Sequence, residues 1–271
     1  MKLSLVVSLP DVAYGPLALL SGAFEEKLRK AAGLGYEGVE LMLRAPAQLD
    51  AAAIAEALRR HNLAVPQVVT GELFGADGLG LVTSDEALAA RSMQRGKEVV
   101  DFAARFGALV NVGRFRGRLD WVKGQADPWR FAVGVFRRFC QYAAGKGVRI
   151  VLEPANRYEV DFIHNAQDGL RFIEDVGAPN LGLMLDVFHM NIEDASIEGS
   201  FRQAAPYVWH VHLADSNRQA PGQGHLDFAS ILRTLREIGY AGWVSAEVLP
   251  LPDPDTAAER TARHILPLLA E

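Results

Sequence analysis

The sequence predicts an α/β fold, a (β/α)8 TIM barrel in a single domain over residues 1–271. Three observations carry that reading. Short apolar, β-branched runs alternate strictly with longer stretches of helical period, which gives parallel strands joined by right-handed crossovers. Eight such pairs fill 271 residues, about 34 residues each, the arithmetic of a closed barrel. An open doubly wound sheet is the alternative. It usually has fewer strands at this length and often carries a Gly-x-Gly-x-x-Gly loop after its first strand. Residues 8–15 hold no such loop. No linker, composition shift or low-complexity run marks a second domain.

The first strand is Leu3 to Ser8. A secretory leader is the competing reading, but Pro10 and Asp11 cut the apolar run short and no small-residue cleavage site follows. A helix from about Ala23 to Ala32 closes on Gly33 and Gly35, since glycine accepts a left-handed C-cap without Cβ strain. Glu37 to Met42 is the second strand, and Asp50 caps a helix to about His61. Ala64 to Val69 is the third strand, weakened by Pro66, which lacks a ladder donor. Gly71 to Thr83 is glycine-rich and aperiodic and reads as a long loop. A helix then runs from about Asp85 to Phe106, and Leu109 to Val112 is the fourth strand. Asp127-Pro128 opens a helix to about Ala144, with proline in its first turn. Val148 to Glu153 is strand five, followed by a helix near Ala166 to Val176. Leu181 to Asp186 is strand six, with a short helix near Ile197 to Ala204. Tyr207 to Leu213 is strand seven, with a helix from about Phe228 to Ile238. Trp243 to Val248 is strand eight, and a last helix spans about Thr256 to Leu268.

Composition narrows the function classes. Hydrophobic residues make up 49% and charged residues 23%, so disorder and fibrous repeats are excluded. The net charge is -5 and no basic stripe stands out, which argues against nucleic-acid binding. No apolar run reaches the roughly 18 to 20 residues that span a bilayer. The single cysteine, Cys140, rules out an intramolecular disulfide and suits a reducing compartment. A soluble, cytoplasmic protein is the expectation.

Barrel enzymes carry their reactive groups at the C-terminal ends of the strands. Strand five ends in Glu153 and strand six in Asp186; His212 and Glu247 lie near the ends of strands seven and eight. Their spacings of 33, 26 and 35 residues are each about one βα unit. Four consecutive strands therefore deliver one ligand-type residue each to one rim. By alternation, Glu153 shares its face with Val151 and Arg149, His212 with His210, and Glu247 with Ser245, while Trp209 and Val211 point toward the helices. Any one of these acids serves equally well as a helix N-cap or an ion-pair partner. Four in phase favour a metal site, because acids are rarely buried unless paired or coordinated. Three carboxylates and an imidazole make a hard, oxygen-rich set for one divalent cation. Mn²⁺ is expected, with Mg²⁺, Co²⁺ and Zn²⁺ as alternatives. Loops beyond the strand ends place Arg157 and Glu159, His189, and Arg218 around the same rim. Each of these alone reads as a loop ion pair or cap. His210 is expected to fill the barrel beneath the metal, and His61, His164, His225 and His264 to be exposed or structural.

These motifs resemble the xylose-isomerase-like superfamily, in its branch of sugar isomerases and ketose 3-epimerases. The resemblance covers nearly the whole chain and is strongest from Glu153 to Pro250. Glu153, Asn156, Arg157 and Glu159 are similar to the strand-five motif. Asp186, His189 and Met190 match Asp-x-x-His-Met, and His210 to Arg218 match His-x-His-x-x-Asp-Ser-Asn-Arg. Gly222 to Phe228 also looks like the family. The resemblance to D-tagatose 3-epimerase-like enzymes implies that Glu153, Asp186, His212 and Glu247 bind the metal. It also implies that Glu153 and Glu247 are the catalytic acid and base, and that Glu159, His189 and Arg218 bind substrate hydroxyls. A homo-oligomer is a family expectation. By overall similarity the chain looks closest to a subgroup that epimerises 5-keto-L-gluconate.

The implied reaction is inversion at C3 of a ketose or keto-sugar acid through an enediolate, one glutamate removing the C3 proton and the other returning one to the opposite face. An aldose or hydroxypyruvate isomerase of the same superfamily would use nearly the same metal set. An apurinic endonuclease of this fold would need more zinc-ligating histidines and a basic face. A metal-free sugar-binding barrel would have little reason to cluster three acids and a histidine. A phosphorylated substrate is disfavoured, since the loops after strands seven and eight lack a glycine-rich phosphate cradle.

Overall fold

The computed structural model describes residues 1–12 and 15–270. Eight parallel strands close into a barrel in sequence order. They are β1 (Lys2–Ser8), β2 (Gly38–Met42), β3 (Gln67–Val69), β4 (Leu109–Val112), β5 (Ile150–Leu152), β6 (Leu181–Asp186), β7 (Val208–Leu213) and β8 (Trp243–Ala246). The principal helices are α1 (Phe24–Gly33), α2 (Ala51–Arg60), α3 (Gly71–Gly75), α4 (Glu86–Ala104), α5 (Pro128–Gly145), α6 (Ala166–Val176), α7 (Val187–Glu193), α8 (Ile197–Ala204), α9 (Phe228–Glu237) and α10 (Pro254–Ala270). The expected TIM barrel is the observed architecture.

Local chemistry explains the element boundaries. Asp50, Asp85, Asp127, Asn165 and Asp227 each accept a backbone N–H from the first turn of the helix that follows, satisfying a donor that has no intrahelical partner. Gly177 ends α6 at φ 65°, where a side chain would be strained. The third strand is shorter than alternation predicts. Ala64 makes only an isolated bridge to Gly38, and the ladder starts at Gln67, just past Pro66. The stretch 71–83, expected as loop, opens with the single-turn helix α3. The helix α7 was also not expected. Asp186 starts it, accepting the Phe188 N–H at 2.9 Å through Oδ1.

The large apolar core lies between strands and helices, with Leu3, Leu5, Val39, Leu41, Val110, Leu183 and Val211 facing outward into it. Among the described residues, apolar packing inside the barrel forms two small clusters. One is Val6, Val12, Met42 and Val69. The other is Leu109, Val151 and Met184, against which Trp209 packs. Trp209 thus corrects the alternation argument, which pointed it at the helices. Leu183 pairs with Val208 and Met184 with His210, so Trp209 is the extra residue of a β-bulge. The bulge turns the indole inward against Gly182, which leaves the space a Cβ would take. Beyond it the phase holds, with Val211 outward and His210 and His212 in the interior.

Candidate functional site

Each ligand-type side chain is placed by a strand end. Glu153 directly follows β5, and its N–H continues the ladder to the Val112 carbonyl at 3.2 Å. Gly113 faces it with no side chain, and a Cβ there would collide with the Glu153 Oε2. Asp186 is the last residue of β6 and points Oδ2 away from its capping oxygen. His212 is the penultimate residue of β7, and Glu247 directly follows β8. One ligand atom from each of these four residues lies within 4.8 Å of the other three, and all four are buried. The structure therefore brings together the whole set expected from the sequence.

The donor set suits a cation. The His212 Nδ1 is buried without a hydrogen-bond partner. It lies 3.3 Å from Glu247 Oε2 and 4.0 Å from Asp186 Oδ2. An orphaned ring nitrogen among three carboxylates is costly in a protein interior unless something positive sits between them. The electrostatics show the same tension. Burial, then repulsion from Glu247, pushes the Glu153 carboxyl up to about 8. Burial also acts against ionised Glu247 and Asp186, yet both stay below their ordinary values: His212 and Arg218 hold Glu247 down, and Arg218 and His189 hold Asp186 down.

The surrounding side chains are fixed in turn. Arg218 donates to Asp186 Oδ2 at 2.5 Å and to Glu247 Oε2, and its guanidinium lies 4.7 Å over the Phe188 ring. Its backbone is held at φ 62°, a left-handed conformation uncommon for a residue with a side chain. The loop enforces it. The Arg218 N–H donates to the Asp215 carbonyl at 2.8 Å, and its own carbonyl accepts from Leu249 at 2.8 Å. The Asp215 carboxylate in turn accepts the N–H groups of Ser216, Gly222 and Leu226. His189 projects from α7, its Nε2 3.6 Å from Glu153 Oε1. The Asn156 amide donates to His189 Nδ1 at 2.8 Å and to Glu159 Oε1 at 3.1 Å. Glu153, Glu159, His189, Arg218 and Glu247 all line one cavity, together with Asn111 and Arg114. Arg157, expected over the same rim, instead turns to Glu193 in a two-pronged pair at 2.9 and 2.8 Å.

Sequence reasoning missed the layer below. Glu40, in the middle of β2, is fully buried and accepts from His210 Nε2 at 2.5 Å and His212 Nε2 at 2.9 Å. Gln67 donates to the same carboxylate at 3.1 Å. Asn111 donates to Glu153 Oε2 at 3.1 Å. The available signal was a charged residue inside the apolar run Gly-Val-Glu-Leu-Met. His210 fills the barrel beneath the four-residue cluster, as expected.

The chain is similar to known proteins over its full architecture. The family profile described as xylose isomerase-like TIM barrel matches residues 28–268. An L-ribulose 3-epimerase of Methylomonas sp. (strain DH-1) is 32% identical, across 80% of this chain and 75% of that protein. A D-psicose 3-epimerase of Ruminiclostridium cellulolyticum is 40% identical over a shorter stretch, 48% of this chain and 45% of that one. A solved structure of an L-ribulose 3-epimerase superposes with a TM-score of 0.82 at 26% identity, covering 98% of this chain and 94% of the other.

Proposed function

This chain belongs to the xylose isomerase-like TIM-barrel family, and from that premise we propose that it is a divalent-metal-dependent epimerase acting at C3 of a ketose or keto-sugar acid. The observation that carries the proposal is the convergence of Glu153, Asp186, His212 and Glu247 at one end of the barrel, with the His212 Nδ1 left free among the carboxylates. The relatives that are epimerases of L-ribulose and D-psicose support the reaction class.

A divalent cation held by these four residues, with Mn²⁺ the first choice for so oxygen-rich a set, would supply the Lewis acidity that makes a hydrogen beside a ketone removable. The protein's own groups do the rest. Glu153 and Glu247 come from strands three apart around the barrel, so their carboxylates reach a sugar from different sides. One takes the C3 proton, and the electron pair left behind forms the enediolate. The other delivers a proton to the opposite face, which inverts C3 and leaves the two glutamates with exchanged proton occupancy. His189 and Glu159 share Asn156 as their anchor and present a hydrogen-bonding edge to the substrate hydroxyls. Arg218 keeps its positive charge beside Asp186 and Glu247, where negative charge develops.

Arg114 gives reason to include keto-sugar acids. It lines the same cavity, where its guanidinium lies 5.7 Å over the Phe74 ring and, among the described residues, has no ion-pair partner. A substrate carboxylate would give it one. The deciding experiment is a panel of ketoses and keto-sugar acids with Mn²⁺, read by NMR for epimer formation in ²H₂O. Epimers labelled at C3, lost on chelation, are expected. Label confined to C1 or C2 would make the protein an aldose–ketose isomerase. Turnover that survives chelation would remove the metal from the reaction.

A further inference from the structure

We infer that Glu40 is a positioning residue that fixes the tautomer of His212 and so decides which ring nitrogen faces the three carboxylates. The inference rests on the metal-centre reading above and adds a residue to it. Glu40 sits mid-strand with no exposed surface. An ionised carboxylate only accepts hydrogen bonds. His210 and His212 both reach it through Nε2, at 2.5 and 2.9 Å, so both rings must carry a hydrogen there. A neutral His212 with its hydrogen on Nε2 has a bare lone pair on Nδ1, and Nδ1 is the atom that lies 3.3 Å from Glu247 Oε2. The opposite tautomer would aim an N–H into the cluster and block it.

Gln67 adds a third contact that holds Glu40 in place. Each of its oxygens is committed, Oε1 to His210 and Oε2 to His212 and Gln67. Rotation of the carboxylate would break all three contacts at once inside a closed barrel. Glu40, His210 and His212 do not form a second cation site themselves. Two ligands at about 2.1 Å and right angles on one ion are about 3 Å apart, whereas His210 Nε2 and Glu40 Oε1 lie at hydrogen-bond distance, 2.5 Å.

The test uses the whole chain. Wild-type protein with ¹⁵N-histidine is recorded in long-range ¹H–¹⁵N spectra with and without Zn²⁺, a diamagnetic probe, the His212 signals being identified by their loss in His212→Asn. The expected result is a protonated Nε2 in the loaded protein and an Nδ1 resonance that shifts on loading. Loss of the Nε2 proton, or a proton on Nδ1, in the loaded protein would overturn the inference. In calorimetric titration with Mn²⁺, Glu40→Gln should bind about 10- to 100-fold more weakly than wild type, because its amide can donate to Nε2 and release the tautomer. Unchanged affinity overturns the inference alone. Should Glu40→Gln fail to fold by circular dichroism, the wild-type spectra still decide. Failure of the wild type to take up either ion would sink the metal-centre reading and this inference with it.

Discussion

At the scale of single residues, the site divides into groups that react and groups that aim them. Glu153→Gln and Glu247→Gln each keep shape and remove a titratable oxygen. Each should lower kcat by about 10² to 10⁴, the usual worth of a general acid or base, with an unchanged circular dichroism spectrum; steady-state kinetics on the identified substrate checks this, and near-normal kcat in either would end its acid–base role. Asn156 is an aiming group. Its amide donates to His189 Nδ1, which leaves the His189 hydrogen on Nε2, the atom turned toward Glu153. Asn156→Ala should lower kcat/KM by about tenfold, the worth of about 1.4 kcal/mol, without changing Mn²⁺ affinity. Equal kcat/KM would show that His189 is aimed by its packing alone. The reacting groups were legible in the sequence because four consecutive apolar strands each end in an acid or a histidine, a coincidence that capping or ion pairing of single residues does not explain. Glu40 was not. It lies two residues before the end of β2, away from the strand ends where barrel enzymes carry their reactive groups. Only the closure of the barrel brings it to residues 170 and 172 positions away.

At the scale of elements, alternation placed all eight strands and most helices, since apolar period and capping residues act locally. It could not place the bulge in β7, because a bulge is a property of a strand pair and both residues flanking it are ordinary. The bulge has a consequence that can be measured. Gly182 exists as space for the Trp209 ring, so Gly182→Ala should cost about 1–3 kcal/mol by overpacking, seen as a lower urea midpoint with the Mn²⁺ affinity of the surviving folded protein intact. Gly113 plays the complementary part, as space for the Glu153 carboxylate. Gly113→Ala should weaken Mn²⁺ binding by pushing Glu153 aside. Unchanged Mn²⁺ affinity in Gly113→Ala, measured by calorimetric titration, would mean that the Glu153 carboxylate gives way without leaving the site. The short helix α7 escaped alternation for a different reason. Its cap is Asp186 itself, and a residue read as a ligand was not also read as a helix start.

At the scale of the whole molecule, burying this cluster couples folding, protons and cations. Glu153 is raised by burial and by Glu247 from an ordinary 4.5 to about 8. The folded chain therefore holds a proton there that the unfolded chain has released, throughout the interval between those values. In that interval the folded state binds more protons, so the stability Glu153 contributes is complete at the acidic end and is lost as pH rises toward 8. His212 acts with the same sign. Burial lowers it, but Glu40 and Glu247 outweigh burial and raise it well above 6.5. Asp186 and Glu247, held below their ordinary 3.8 and 4.5, lose their contribution only in more acidic solution and do not disturb this window. Comparison with Glu153→Gln isolates the one group, since the amide does not titrate. Without metal, the Tm of wild type relative to Glu153→Gln should fall steadily between pH 5 and 8, as followed by thermal denaturation in one buffer series. A divalent cation reverses the balance, because it binds the ionised carboxylate and displaces the proton. Below about pH 8, each unit of acidification should weaken Mn²⁺ binding by at least about tenfold, since Glu153 must release its proton and His212, also raised, its second one, and the rise in Tm at a fixed Mn²⁺ concentration should be larger at pH 8 than at pH 6. Equal rises at the two pH values would show that Glu153 is already ionised in the folded chain, and that the repulsion among the carboxylates is relieved by Arg218 and His212 before any cation arrives.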